Sequence, residues 1–63
     1  MFAVLPTGGD YVQEDALFFT DLEDAYQEAL DWSVQLDGRI VNVYEFYQGK
    51  FNNLTKAKAQ VFA

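Results

Sequence analysis

The chain has 63 residues, a net charge of −6 at neutral pH, and neither cysteine nor histidine. This composition excludes disulfide bonds, thiolate zinc sites and histidine-based acid–base catalysis, so one small domain, residues 1–63, must be stabilised by apolar packing. The excess of acids argues against direct nucleic-acid binding and against attachment to anionic membranes.

The N-terminal third of the chain predicts a β-hairpin. Residues 2–5 form a short apolar run that Pro6 ends, because proline cannot donate a hydrogen bond to a neighbouring strand. Residues 7–10 contain two glycines and are a turn by composition. Residues 11–19 follow as a second strand, loosely alternating at first and more continuously apolar at the end.

The segment from Thr20 to Gly38 predicts one amphipathic helix. Thr20 is the predicted N-cap, and Glu23 three residues later completes a capping box. Gly38 is expected to end the helix as the left-handed residue after Asp37. The predicted buried face holds Leu22, Ala25, Tyr26, Ala29, Leu30, Trp32, Ser33 and Leu36. The opposite face holds Asp24, Gln27, Glu28, Asp31 and Gln35.

The C-terminal part of the chain predicts the remaining strands. Residues 39–47 are rich in β-branched and aromatic side chains, residues 48–50 are a turn signal, and residues 51–54 return as a fourth strand. Residues 55–63 fit either an edge strand or a helix, and the strand is favoured. The order β-β-α-β-β implies an α+β fold: a small antiparallel sheet with one helix packed on one face. The leading core candidates are Phe18, Leu22, Trp32, Leu36, Val41 and Val43.

Two surfaces are candidates for binding. On the acidic helix face, Asp24, Glu28 and Asp31 lie at i, i+4 and i+7, where like charges cost roughly a few tenths of a kcal/mol per pair. This arrangement indicates a surface complementary to a basic patch, although an acidic face also keeps a small protein in solution. The sheet face away from the helix is expected to carry surplus aromatic side chains from the eleven in the chain, and a dimer through that face is an alternative.

Charge and motifs limit the chemistry that the chain can perform. Residues 1–37 hold nine acids and no base, and sum to −9, whereas residues 38–63 sum to +3. The acids Asp10, Glu14 and Asp15 lack calcium-loop spacing, and no constellation for nucleophilic catalysis is present. The chain also lacks a signal-peptide pattern and an apolar run of about 20 residues. We therefore expect a soluble cytoplasmic protein that is not an enzyme.

A set of residues in the predicted helix and in the strand after it resembles the pattern of a known family. These residues are Leu22, Glu23, Asp24, Ala25, Ala29, Trp32, Val41 and Val43, with a glycine-containing turn before the last two. Over roughly residues 2–45 the chain resembles the small acidic host-RNA-polymerase inhibitors of short-tailed lytic phages. The resemblance implies that an acidic surface, with arginines on the strand after the helix, contacts the polymerase; here Arg39 alone stands at that strand's start. The implied contact residues are Glu23, Asp24, Glu28 and Asp31.

The sequence favours a small acidic protein-binding module that inhibits or modulates a nucleic-acid-handling protein, such as RNA polymerase, through its acidic helix face. The alternative is a homo-oligomeric structural or accessory subunit, for example a homodimer, that associates through an aromatic sheet face. We expect no catalytic residue, no metal ion and no cofactor. The predicted partner-binding residues are Glu23, Asp24, Glu28, Asp31, Tyr44, Phe46 and Tyr47.

Overall fold

The computed structural model describes residues 1–47, 50–51 and 59–63. Its elements in chain order are β1 (Phe2–Pro6), a short 3-10 helix (Gln13–Asp15), β2 (Leu17–Phe19), α1 (Leu22–Gln35), β3 (Val41–Tyr47), β4 (Lys50–Phe51) and β5 (Ala59–Val61). The five strands form one antiparallel sheet, and α1 packs on one of its faces. The predicted α+β fold is confirmed. Within these ranges, no helix has both the length and the apolar character needed to cross a membrane.

The strand predicted most clearly by composition, β3, lies at the centre of the sheet. It pairs along one edge with β1, from Phe2 opposite Glu45 to Pro6 opposite Val41, and β2 pairs with the far edge of β1. On its other edge, the first half of β3 pairs with β5 and its end pairs with β4. The preference for a strand near the C-terminus is thus confirmed at β5, whereas the predictions for residues 48–49 and 52–58 lie outside the described residues.

The second strand is shorter than the predicted range of 11–19. Its first half is replaced by the 3-10 helix, which the side chain of Asp15 stabilises. The Asp15 carboxylate accepts a hydrogen bond from the Val12 N–H at 2.9 Å, and the Asp15 N–H donates to the Val12 carbonyl at 2.9 Å. Because the Asp15 side chain gives the Val12 N–H a local hydrogen-bond partner, this segment does not need to pair with a neighbouring strand.

The predicted N-cap is wrong by one residue, and the helix also ends one residue earlier than predicted. The N-cap is Asp21, not Thr20, and its Oδ1 accepts a hydrogen bond from the Glu23 N–H at 3.0 Å. At the other end, Gly38 has the predicted left-handed conformation with a φ of 86°, but Asp37 before it is already left-handed with a φ of 58° and follows the C-cap Leu36. Gly38 donates its N–H to the Ser33 carbonyl at 2.8 Å, which closes the last turn of the helix.

The core between α1 and the sheet is built from small side chains. Val4, Val41 and Val43 of the sheet pack against Ala25 and Ala29 of the helix, and all five are fully buried. Leu22 and Trp32 pack at the margin of this cluster, and Leu36 is also only half-buried. Small residues on α1 allow the helix backbone to lie close to the sheet, so only a narrow sector of the helix, around Ala25, Ala29 and Ser33, is buried.

Phe18 is not a core residue, although the sequence predicts that it is. Its side chain is 45% exposed. Phe18 pairs with Ala3, and Ala3 pairs with Tyr44, so these three residues share the sheet face that α1 does not cover. That face has its own small buried cluster, made of Ala3, Ala16 and Tyr44 with Leu5 beside it.

A serine joins the end of α1 to the two segments that flank it. The fully buried Ser33 hydroxyl donates a hydrogen bond to the Arg39 carbonyl at 2.7 Å and accepts one from the Ala63 N–H at 3.0 Å. These bonds place the backbone of Arg39 and the residues after β5 against the last turns of the helix.

Candidate functional site

The predicted acidic contact residues are brought together on the outer surface of α1. Glu23, Asp24 and Asp31 are exposed, and Glu28 is half-buried. At about 100° per residue, Asp24, Glu28 and Asp31 occupy a sector of roughly 60°, opposite the side on which Ala29 and Ser33 are buried. We refer to these three carboxylates as the acidic strip. Proximity on one helix surface is the property that a charge-complementary interface requires.

Beside the acidic strip lies an exposed apolar strip that the sequence does not predict. Tyr26, Leu30 and Val34, spaced by four residues, are 39%, 40% and 59% exposed. The sequence pattern assigns Tyr26 and Leu30 to the buried face, and that assignment is wrong. Because the narrow core accommodates little more than Ala25, Ala29 and Ser33, larger side chains on that flank remain in solvent.

The two strips are contiguous around the helix. Asp31 lies three residues before Val34 and Glu23 three residues before Tyr26, so each carboxylate is a surface neighbour of an apolar side chain on the helix. Phe62, which is also largely exposed, precedes the residue whose N–H donates to Ser33, so it lies near the same end of the helix. The surface therefore combines apolar area with carboxylates of a single sign.

The three aromatic residues predicted to bind a partner on the sheet face are Tyr44, Phe46 and Tyr47. Tyr44 does lie on the face away from α1, but it is only 9% exposed, and its hydroxyl accepts a hydrogen bond from the Asn42 side chain at 3.0 Å. Its side chain therefore offers a partner little area. Phe46 and Tyr47 lie in β3 opposite β4, and their side chains are outside the described part of the structure.

A cleft on the other flank of α1 is a second candidate site. It has a volume of about 610 Å³ and forms between the loop after β1, the start of β2 and the helix. Tyr11 and Trp32 meet edge-to-face in its wall, with ring centroids 5.8 Å apart and planes at 87°. Its lining residues are Gly9, Asp10, Tyr11, Asp15, Leu17, Trp32 and Arg39.

The sequence pattern does not reveal this cleft because its walls come from distant parts of the chain. From the sequence pattern alone, Tyr11 is predicted to lie in a strand and Trp32 in the core. Arg39 is the only base among residues 1–49, which is the one signal that sets its position apart. The guanidinium lies close to Gly9: a Cβ added to that glycine would be 3.0 Å from Arg39 Nη1.

The described residues present two candidate surfaces, the outer side of α1 and the cleft beside it. Within residues 1–47, 50–51 and 59–63, no group of three or more histidine, cysteine, aspartate or glutamate side chains is placed to hold a metal ion. The acids of α1 point outward along the helix, and those of the cleft line an open surface. Comparisons with protein-family models, with curated proteins and with solved structures found no match to this chain.

Proposed function

We propose that this protein binds another protein through the outer surface of α1, and that it inhibits or modulates a nucleic-acid-handling protein such as RNA polymerase. The observation that carries the proposal is the contiguity of the acidic strip with the exposed apolar strip of Tyr26, Leu30 and Val34. If the acids served only to keep the protein in solution, an exposed apolar surface beside them would have no purpose. Proteins that bind nucleic acid present basic surfaces, which are the natural complement of these carboxylates.

The two strips have different physical tasks in this complex. Full burial of a side chain of this size is worth roughly 1.5–3 kcal/mol. Because the three apolar side chains already bury about half of their surface, a partner that covers them gains about 1 kcal/mol from each. The carboxylates add little net affinity but accelerate association and disfavour partners without a basic surface.

The test is a binding measurement on purified RNA polymerase and on a panel of basic nucleic-acid-binding proteins at low and high salt. Asp31→Lys should weaken binding about tenfold at low salt, which corresponds to about 1.4 kcal/mol. Glu14→Lys is the matched control, because Glu14 is also exposed and its substitution changes the net charge by the same amount, but it lies in the 3-10 helix. It should weaken binding less than about threefold.

A second variant separates the apolar strip from the charges. Leu30→Ala should raise the dissociation rate with little effect on the association rate, whereas Asp31→Lys should mainly slow association. Equal losses in Asp31→Lys and Glu14→Lys, or binding that is insensitive to salt, would contradict a role for the acidic helix face. Absence of any binding, with a stable dimer in solution, would favour the homo-oligomeric subunit instead.

A further inference from the structure

The cleft beside α1 belongs to the same continuous surface as the acidic strip. At about 100° per residue, Glu28 lies next to Trp32 around the helix and one turn before it. A partner that covers the acidic strip therefore reaches the mouth of the cleft. The cleft adds what the strip lacks, namely aromatic rings and a concave shape.

The aromatic pair in the cleft is suited to a flat cation. In an edge-to-face pair the edge of one ring contacts one face of the other, so the pair covers less ring surface than stacked rings do. Both Tyr11 and Trp32 are half-buried, and both line the cleft. Among aromatic side chains tryptophan is the best partner for a cation over its face, and the planar guanidinium of arginine also stacks on it.

The charges of the cleft favour the same occupant. The exposed carboxylates of Asp10 and Asp15 outnumber the guanidinium of Arg39, and the whole of residues 1–37 contributes −9. An incoming anion would have to approach against that field. The Arg39 guanidinium and the Tyr11 ring both lie near Gly9: a Cβ added to that glycine would be 3.0 Å from Arg39 Nη1 and 3.8 Å from Tyr11 Cδ2, so one guanidinium already lies at this end of the cleft.

We propose that the cleft receives an arginine side chain of the basic partner, which stacks on Trp32 and is held by the carboxylates of Asp10 and Asp15. The inference deepens the proposed function and rests on it, because it names how part of the basic surface is recognised. Arg39 then acts against binding as a like charge. Removal of the Arg39 charge should therefore tighten the binding of an arginine side chain. If the cleft instead bound an anion, the same change would weaken binding.

The experiment uses Trp32 as the reporter, since it is the only tryptophan in the chain. The full protein is titrated with a capped hexapeptide of alternating glycine and arginine, and with the same peptide in which citrulline replaces arginine. We expect a saturable change in Trp32 emission with the arginine peptide, and binding at least about fivefold weaker with the citrulline peptide, which keeps the shape but loses the charge.

Three variants test the roles of the charges. Asp10→Asn should weaken the arginine peptide about threefold, and Arg39→Gln should tighten it about twofold. Glu45→Gln is the matched control, because it also removes one exposed carboxylate charge but lies in β3 opposite Phe2 and does not line the cleft, and it should change the affinity less than twofold. Circular dichroism of each variant establishes that the fold is retained.

The outcomes distinguish this inference from the proposed function. Equal binding of the two peptides, or weaker binding by Arg39→Gln, would overturn the arginine pocket. Binding of RNA polymerase or another basic protein with unchanged Trp32 emission would also overturn it, while leaving the proposed function intact. A saturable response to the arginine peptide without binding to any of those proteins would support the pocket as a site for guanidinium groups and would contradict the proposed function.

Discussion

Ser33→Ala is the substitution whose effect on stability follows most directly from the structure. The Ser33 hydroxyl is fully buried and makes two hydrogen bonds, to the Arg39 carbonyl at 2.7 Å and from the Ala63 N–H at 3.0 Å. Alanine fits the same space but has no polar atom. Both backbone groups then lose their partner, and the end of the helix loses its connection to the segment after β5.

The expected loss is moderate in absolute terms and large for this domain. Two hydrogen bonds at about 1 kcal/mol each give about 2 kcal/mol, and the better helix propensity of alanine returns about 0.5 kcal/mol. The net loss is therefore about 1.5 kcal/mol. A domain of this length is stable by roughly 3–9 kcal/mol, so the change should lower the Tm by about 6–12 °C.

Urea denaturation followed by Trp32 fluorescence measures this loss, because Trp32 packs against the core near Ser33. The control is Gln35→Ala, which also replaces a polar residue by alanine near the end of α1 but at an exposed position. It should change the free energy of unfolding by less than about 0.5 kcal/mol. If the Ser33→Ala protein were as stable as the wild type, the two hydrogen bonds together would contribute only about 0.5 kcal/mol, the amount that helix propensity returns, which would contradict the expected contribution of about 2 kcal/mol.

Three further predictions concern the helix caps and the core. Asp21→Ala should destabilise by about 1 kcal/mol in thermal denaturation, and Thr20→Ala by less than about 0.5 kcal/mol; the reverse order would make Thr20 the cap. Asp37→Gly should stabilise by about 0.5–1 kcal/mol, because glycine adopts a φ of 58° without strain, and an unchanged Tm would argue against strain there. Val43→Ala should cost about 2 kcal/mol in urea, whereas Val34→Ala should cost little; equal costs would contradict the described packing.

The distribution of apolar side chains links the fold to the proposed function. Among the side chains that the structure describes, the largest fully buried ones are Val4, Val41, Val43 and Ser33, so this part of the core is made of small residues. The larger apolar side chains that remain exposed in the same ranges are Met1, Val12, Leu17, Phe18, Tyr26, Leu30, Val34 and Phe62. A short chain with a small core has limited stability, and a partner that binds the folded state adds to it. We therefore expect a bound basic protein to raise the Tm.

Local pattern was sufficient for the elements that depend on neighbouring residues. The period of residues 20–38 predicted α1, and the β-branched run around Val41 and Val43 predicted the central strand. The acidic strip also follows from the sequence, because residues three or four apart on a helix share a surface whatever lies beneath it. The α+β class then follows from the order of the elements.

The caps and the length of β2 required the backbone geometry. Thr20 and Asp21 are both good caps, and their side chains differ only in which one reaches a free N–H. The 3-10 helix depends on the same kind of local competition, because the Asp15 carboxylate takes the N–H of Val12. Residue type alone does not decide between Thr20 and Asp21 as the N-cap, or between a strand and a 3-10 helix before β2.

The periodicity of the residues is enough to predict the helix, the strand around Val41 and Val43, and the row of carboxylates on α1. Which apolar residues are buried depends on how the helix packs, because a helix that contacts the sheet through Ala25 and Ala29 leaves Tyr26 and Leu30 outside the interface. The cleft is likewise a tertiary feature. Tyr11 and Trp32 meet there because the loop after β1 folds against the helix, and contacts between distant segments leave no periodic trace in the sequence.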